Sequence, residues 1–520
     1  MLDVSPSDAE TGLRIVVVGD GLAGWLAAIG LHGKGGRGGS TSLLAASNIP
    51  RIGVGESSTG LLAGFLEAHD VPAGEFAAAA RATFKLGIGF SGWAGKAHDV
   101  VSAIDNPDVM AGLPLHPGSS INQRAALADG CRVVDAHLHA WLIRAGRVPA
   151  LAENGRPVML GTHAWHFDAA EAAAYAERVA LARGVEPITG AVVVVDRRPD
   201  GSIAALRLED GRAIEADLFI DCSGQRRLLM DKERPDWVTQ TGVIPVNRAV
   251  AGFMPLGATI APVTRAVAAS AGWIWEIPTQ DRIGVGYVHD AGVIEPEEAW
   301  RALAEHAHGR LQRGPLIDFA PGYRRQPWQA NGVAIGLASG FCEPLESTSL
   351  HLALVQIGWV AAALARPPAS GNWREQADGY NAWMARYQDD LADFVALHYS
   401  ANAARNDFWR EAAVRARATD LYHLWSEGPA FPPDEDLCGR SKGLSPNLIL
   451  PIADGLGLLR APAGDRAVSR AQRVAAARMR ALHREYCAQA LPHAEALKLL
   501  APKSQDSQRL QIAERDYEPV

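Results

Sequence analysis

Residues 13–19 read Leu-Arg-Ile-Val-Val-Val-Gly, a continuous β-branched run closed by glycine, which predicts a strand buried on both faces of a parallel sheet. Residues 23–31 have helix composition and 41–46 form a second short apolar run, so the chain opens on a βαβ unit. The pattern over 61–85 is mostly helical. Alanine-rich helices are expected at 124–146 and 168–184, the second with Asp168 as its cap and Glu171 three residues later. Two β-rich runs, 192–195 and 203–208, flank Pro199-Asp200-Gly201 and predict a hairpin. Residues 216–224 form another buried strand ending in a Ser-Gly turn. Runs at 243–253, 274–278 and 282–289 suggest a second, antiparallel sheet. A strand at 333–338 leads towards a helix at 350–364, and 373–417 is helical. The stretches 92–123 and 426–447 are irregular, 467–500 is an amphipathic helix or helix pair, and 503–520 is polar and frayed.

Composition narrows the function classes. Of 520 residues, 58 are acidic and 50 are Lys or Arg, for a formal net charge of -8. No Lys/Arg cluster is interleaved with aromatics, so nucleic acid is not an expected partner. The five cysteines are scattered and form no CxxC pair, which argues against a disulfide framework and against a metal site. The first ten residues are polar and acidic, unlike a signal peptide, and no apolar run of ~18 residues suggests a membrane helix. A cytoplasmic protein with reduced thiols, away from any membrane, is the expectation. The length admits two to four domain-sized units or one interwoven body.

The first glycine turn, Gly19-Asp20-Gly21-Leu22-Ala23-Gly24, is GxGxxG directly between a strand and a helix. Such a turn places a pyrophosphate on the helix N-terminus, although an ordinary βα turn has the same form. A second match, Gly87-Ile88-Gly89-Phe90-Ser91-Gly92, leads into Trp93 rather than a helix and reads as a decoy, leaving one dinucleotide site. The acid that usually grips the ribose is missing: Ala46 stands at its place, with Ser47 as a weak substitute. Affinity for the dinucleotide should be low.

Three further features admit chemistry. Trp273-Ile274-Trp275-Glu276-Ile277-Pro278 puts two indoles on one face of an extended segment, as core packing or as an aromatic wall. Lys85 stands alone among apolar residues, either snorkelling to water or held as a desolvated amine. Glu346 is a turn carboxylate, a capping group or a charge at a site, and the amides of Ser347, Thr348 and Ser349 open a helix in a manner suited to an anion.

Together these segments resemble the flavin-dependent halogenases of the tryptophan-halogenase family, from about residue 14 to about residue 415. The pieces are the glycine turn at 19–24, Gly53-Val54-Gly55-Glu56-Ser57-Ser58, the lysine segment 84–93, His166-Phe167-Asp168-Ala169, Asp221-Cys222-Ser223-Gly224, the WxWxIP segment, Pro344–Ser349, and His398-Tyr399 leading to Phe408-Trp409. The resemblance implies an α/β fold: an FAD-binding Rossmann-like core, of the glutathione-reductase-like and hydroxybenzoate-hydroxylase-like kind, with an antiparallel sheet and a mostly helical C-terminal substrate region. Residues 1–410 would form the halogenase core from discontinuous flavin-side and substrate-side modules. Residues 411–520 would cover the substrate site.

It also implies the reaction. Reduced FAD from a separate flavin reductase, with dioxygen, converts a halide, bromide or chloride, to hypohalous acid. That species crosses an internal passage to Lys85, and Glu346 assists attack by a small aromatic substrate. The flavin would touch Gly19, Gly21, Leu22, Ala23, Gly24, Ser47, Glu56, Val192, Leu337, Ser347 and Leu350, and the halide would sit near Thr348 and Ser349. The WxWxIP residues Trp273, Trp275, Ile277 and Pro278 would lie beside the passage. The residue after the threonine is commonly glycine in this family and is Ser349 here. Past residue 415, Tyr422 has no tyrosine partner with a following acid to hold an amino-acid head group, so an indole-type arene is expected over free tryptophan, in a slot supplied by Trp273, Trp409 or neighbours. An FAD-dependent aromatic monooxygenase and a flavin-carrying protein without turnover are the rival readings. Monomer or homodimer stays open.

Overall fold

The structure is a computed structural model that describes residues 12–36, 38–46, 55–94, 100–107, 120–159, 161–230, 236–368, 373–427, 432–459 and 468–500. β1 (Arg14–Val18) is central to a six-stranded sheet, flanked by β2 (Ser40–Ala45) and by Leu218–Asp221, both parallel to it. Glu186–Thr189 extends the sheet beyond β2, Gly332–Ala334 extends the other side, and an antiparallel strand, Trp328–Gln329, closes that edge. α1 (Leu22–Leu31) is apolar on every side and buried at all but Ala23. A helix of that kind must be covered all round; β1, β2 and the helices Ala169–Ala182 and Thr348–Leu364 do so.

A second sheet has seven strands in the order Gln312–Asp318, Arg248–Pro255, Arg282–His289, Gly272–Pro278, Thr264–Ala269, β5 (Gly87–Ser91) and Val100–Ala103. All pairs are antiparallel except β5 with Thr264–Ala269. The second glycine-rich match therefore lies on a strand with no helix after it. Gly272–Pro278 is buried at every position near the middle of this sheet. A small third sheet sets β3 (Gly55–Ser57) and β4 (Thr83–Lys85) on either side of Ala164–Asp168. Gly55 rests on Gly284 of the large sheet, where a Cβ on Gly284 would come within 2.8 Å of the Gly55 Cα. The absence of both side chains lets the strand carrying Ser57 press against the WxWxIP region.

Several elements differ from the sequence reading. The stretch 61–85 is two helices, Gly60–Ala68 and Ala73–Ala79, and then a strand. Val71-Pro72 separates the helices, since a residue before proline avoids the helical region. Thr83–Lys85 is a strand only because Ala164–Asp168 pairs with it. The helix expected at 124–146 is broken at Gly130, which adopts a left-handed φ of 73°. The 333–338 strand stops at Ala334 and continues as a tight turn, Gly336–Ala338. The loop at 426–447 holds the short helix Asp434–Leu437 and leads into Pro446–Gly455, and the strand Val100–Ala103 lies within the irregular 92–123. The terminal pattern is a helix pair, Arg470–Gln489 and His493–Leu500, parted near Pro492. One apolar core runs from Ile15 to Ala496 and includes Leu421, Trp425 and Ile449 of the C-terminal helices. No described helix is long and apolar enough to cross a membrane.

Candidate active site

The glycine turn is built as its spacing requires. Gly19 has φ 115°, and a Cβ there would lie 2.4 Å from the Cys222 carbonyl oxygen. A Cβ on Gly24 would lie 1.9 Å from the Gly19 carbonyl oxygen, so this glycine serves the helix–strand contact rather than a cavity wall. Gly21 faces open space, with nothing within 4 Å of an added Cβ. It precedes α1, which has no side-chain cap and no acid in its first turn. Uncapped amides, the positive end of the helix dipole and room for a ligand suit a pyrophosphate.

In front of this turn lies a cavity of about 610 Å³. Of the residues singled out above, Gly19, Gly21, Leu22, Glu56, Val192, Trp273, Trp275, Ile277, Leu337, Ser347, Ser349 and Leu350 line it. Ala23, Gly24, Pro278 and Thr348 stand off its wall, and Ser47 lies outside the described residues. Ala46 lines the cavity where an acid would meet a ribose. The cavity thus extends from the dinucleotide turn to the two indoles of the WxWxIP strand, whose ring centroids are 6.3 Å apart. Burial alone pushes the Glu56 carboxyl up to about 7.

Behind two of the cavity's wall residues, Ser57 and Ser347, stands Lys85. The lysine is 1% exposed and does not snorkel to water. Its ammonium donates to the Ser58 carbonyl at 2.9 Å, to Ser347 Oγ at 2.8 Å and to Ser57 Oγ at 3.3 Å. Ser57 and Ser347 share a hydrogen bond of 2.5 Å and both line the cavity, so one layer of hydroxyls separates the amine from it. Burial lowers the Lys85 pKa to about 8, and the nearby charge of Glu346 opposes that shift.

Glu346 is buried, and its Oε1 lies 2.8 Å from His398 Nε2. His398 Nδ1 faces the carbonyls of Phe394 and Val395 at 3.0 and 3.2 Å, so that nitrogen carries a proton. The Nε2–Oε1 bond then requires a further proton, on the imidazole or on the carboxyl. Ser347 takes φ 56°, turning the chain so that Glu346 points to His398 while Ser347 points to Lys85. Thr348 and Ser349 follow as the first residues of a helix with no side-chain cap and no acid in its first turn.

Sequence reasoning missed four participants: Ser57 and Ser58 at the amine, His398 at Glu346, and Glu343, which holds Trp273. The segments containing Ser57, Ser58 and His398 carried the resemblance without marking these side chains, and Glu343 stands just before the Pro344–Ser349 piece. It also offered Trp409 as part of an aromatic slot. Trp409 is fully buried among Trp93, Tyr399 and Phe408, with its indole N–H donating to the Ala269 carbonyl at 2.8 Å, and belongs to the core.

The tryptophan halogenase family model matches residues 14–429. Tryptophan 6-halogenase SttH of Streptomyces toxytricini is 32% identical over 480 residues, covering 86% of this chain and 90% of that protein. Tryptophan 7-halogenase RebH of Lentzea aerocolonigenes is 31% identical over 421 residues, covering 76% of this chain and 78% of RebH. Among solved structures, Tar14, a tryptophan C-6 flavin-dependent halogenase (chlorinase) from taromycin biosynthesis, superposes with a TM-score of 0.81 at 28% identity. The match covers 94% of this chain and 99% of Tar14.

Proposed function

Because this chain belongs to the tryptophan halogenase family and is a flavin-dependent halogenase, we propose that Lys85 and Glu346 carry its halogen transfer to an indole-type arene. FAD, reduced by a separate flavin reductase, supplies with dioxygen the oxidising equivalents that turn halide into hypohalous acid. The backbone amides at Thr348 and Ser349 hold the halide. Lys85, reached past Ser57 and Ser347, takes the hypohalous acid at Nζ, by hydrogen bond or as a haloamine, the N–X bond forming as the O–X bond breaks and an amine proton leaves with the hydroxyl as water. Glu346 stabilises the positive charge that develops on the arene as it attacks the halogen, and its carboxylate accepts the proton that the ring releases as it rearomatises. The helical region from residue 411 covers the substrate side. The observation that carries this reading is the contact of Lys85 Nζ with two cavity-wall hydroxyls, Ser57 and Ser347, the second of them in the turn that also bears Glu346.

The substrate is an electron-rich arene without a free amino-acid head group. A zwitterion withdrawn from water needs both charges paired. Tyr422 stands without a tyrosine neighbour, and Glu427 is exposed and paired with His423 at 3.0 Å. Bromide should serve at least as well as chloride. A monooxygenase reading shares the fold, but the family match does not favour it.

The test is an aerobic reaction of the purified protein with a flavin reductase, NADH, FAD and bromide, offering indole and tryptophan in one vessel. Mass spectrometry should show mostly bromoindole, and Lys85→Ala should abolish bromination while reduced FAD is still oxidised. Predominant bromotryptophan would overturn the substrate reading; a hydroxylated product, or an active Lys85→Ala variant, would overturn the mechanism.

A further inference from the structure

Three residues before Glu346 is a second carboxyl with no part in the steps above. Glu343 is 0% exposed. Its Oε2 accepts from Trp273 Nε1 at 3.0 Å, and the Tyr399 hydroxyl lies 3.0 and 3.1 Å from its two oxygens. Among the described residues the charge that bears on it is Glu346, which has the same sign. A buried carboxyl without a cation is costly, and structures keep such groups where their hydrogen bonds fix something.

What Glu343 fixes is an aromatic partition. Trp273 lines the flavin cavity. Behind it stands Trp93, at 6.3 Å between ring centroids, and Trp93 in turn packs on Tyr399 at 5.2 Å and on His398 at 6.2 Å. His398 holds Glu346 while its neighbour Tyr399 holds Glu343, so the end of one helix, Arg374–Tyr399, clamps both carboxyls of the Glu343–Glu346 turn. Trp93 is held by its own indole N–H, which donates to the Ala266 carbonyl at 3.0 Å; at Trp273 the directional bond is the one to Glu343.

We propose that Glu343 is a positioning residue for halogen transfer: by anchoring the Trp273 indole N–H and the Tyr399 hydroxyl, it holds the wall that directs hypohalous acid to Lys85 instead of letting it escape. Burial and the nearby Glu346 push its carboxyl up to about 8, which matches the missing cation. In the neutral form the group offers one acceptor and one donor, the pattern that glutamine reproduces.

This inference rests on the reading of Lys85 and Glu346 given above, and the experiment separates the two. The fraction of reduced FAD equivalents recovered as halogenated indole is measured, with hydrogen peroxide and trapped free hypohalous acid as the remainder. Wild type, Glu343→Gln, Glu343→Leu and Tyr399→Phe are compared with FAD and bromide at saturation. Glu343→Gln should keep the wild-type fraction within about twofold. Glu343→Leu and Tyr399→Phe should lower it about fivefold or more, the loss expected for one hydrogen bond of ~1 kcal/mol, without change in the rate of flavin oxidation. Should Glu343→Leu fail to fold, Tyr399→Phe, which retains the buried ring, decides the question. A wild-type fraction in the folded Leu or Phe variants, or a Gln variant as impaired as Leu, overturns the role of Glu343. Absence of halogenation in the wild type instead overturns the underlying reading.

Discussion

Replacing Lys85 by methionine should stabilise the protein near neutral pH while abolishing halogenation. Burial lowers the lysine's pKa to about 8, against ~10.4 for a free lysine. Below about pH 8 the folded and unfolded chains both carry the proton, and the folded state bears the full cost of a buried charge, roughly 3 kcal/mol. Between about 8 and ~10.4 the unfolded chain binds more protons than the folded one, so wild-type stability rises with pH and the cost disappears. Methionine fills a similar volume at little packing cost, but it gives up the bonds to Ser58 and Ser347, worth about 1–2 kcal/mol together. The variant should therefore be more stable by about 1–2 kcal/mol near pH 7, and that advantage should shrink by roughly 2 kcal/mol by about pH 9.5. Urea unfolding of both proteins at the two pH values measures it. A difference that does not change with pH would show that Lys85 is not a charge held against its solvation, and with it the physical reason for placing an amine there.

Glu346→Gln removes a charge beside the reacting centre while leaving a group able to bond His398, and initial rates should fall about a hundredfold or more; a rate near wild type would remove Glu346 from the chemistry. Ala46→Asp restores a carboxylate on the cavity wall where a ribose hydroxyl is expected, so the FAD dissociation constant from fluorescence titration should drop about tenfold. An unchanged constant would refute the expectation that Ala46 weakens FAD binding. In Gly24→Ala the new Cβ would fall 1.9 Å from the Gly19 carbonyl oxygen, so FAD binding should be lost along with about 1–3 kcal/mol of stability from overpacking. A variant that binds FAD normally would refute the account of the turn.

The sequence alone determined those features whose physics is local. β1, the glycine turn and α1 are contiguous, and a β-branched run followed by GxGxxG specifies strand, phosphate turn and helix without help from elsewhere. Asp168 caps its helix as expected, accepting from the amides of Ala170 and Glu171 a few residues away. The WxWxIP strand was legible because alternation puts both indoles on one face. Tertiary structure decided the rest. Lys85 looked like the end of a helix because the pairing that makes it a strand comes from Ala164–Asp168. Whether its amine reached water or was buried depended on Ser57 and Ser58, 28 and 27 residues before it, and on Ser347, 262 residues after it. His398 and Glu343 gained their partners in the same way, across 52 and 70 residues. A pattern read along the chain records which side chains a segment presents. Desolvation and hydrogen bonding depend on what the fold packs against them, and at this site every deciding partner comes from another segment.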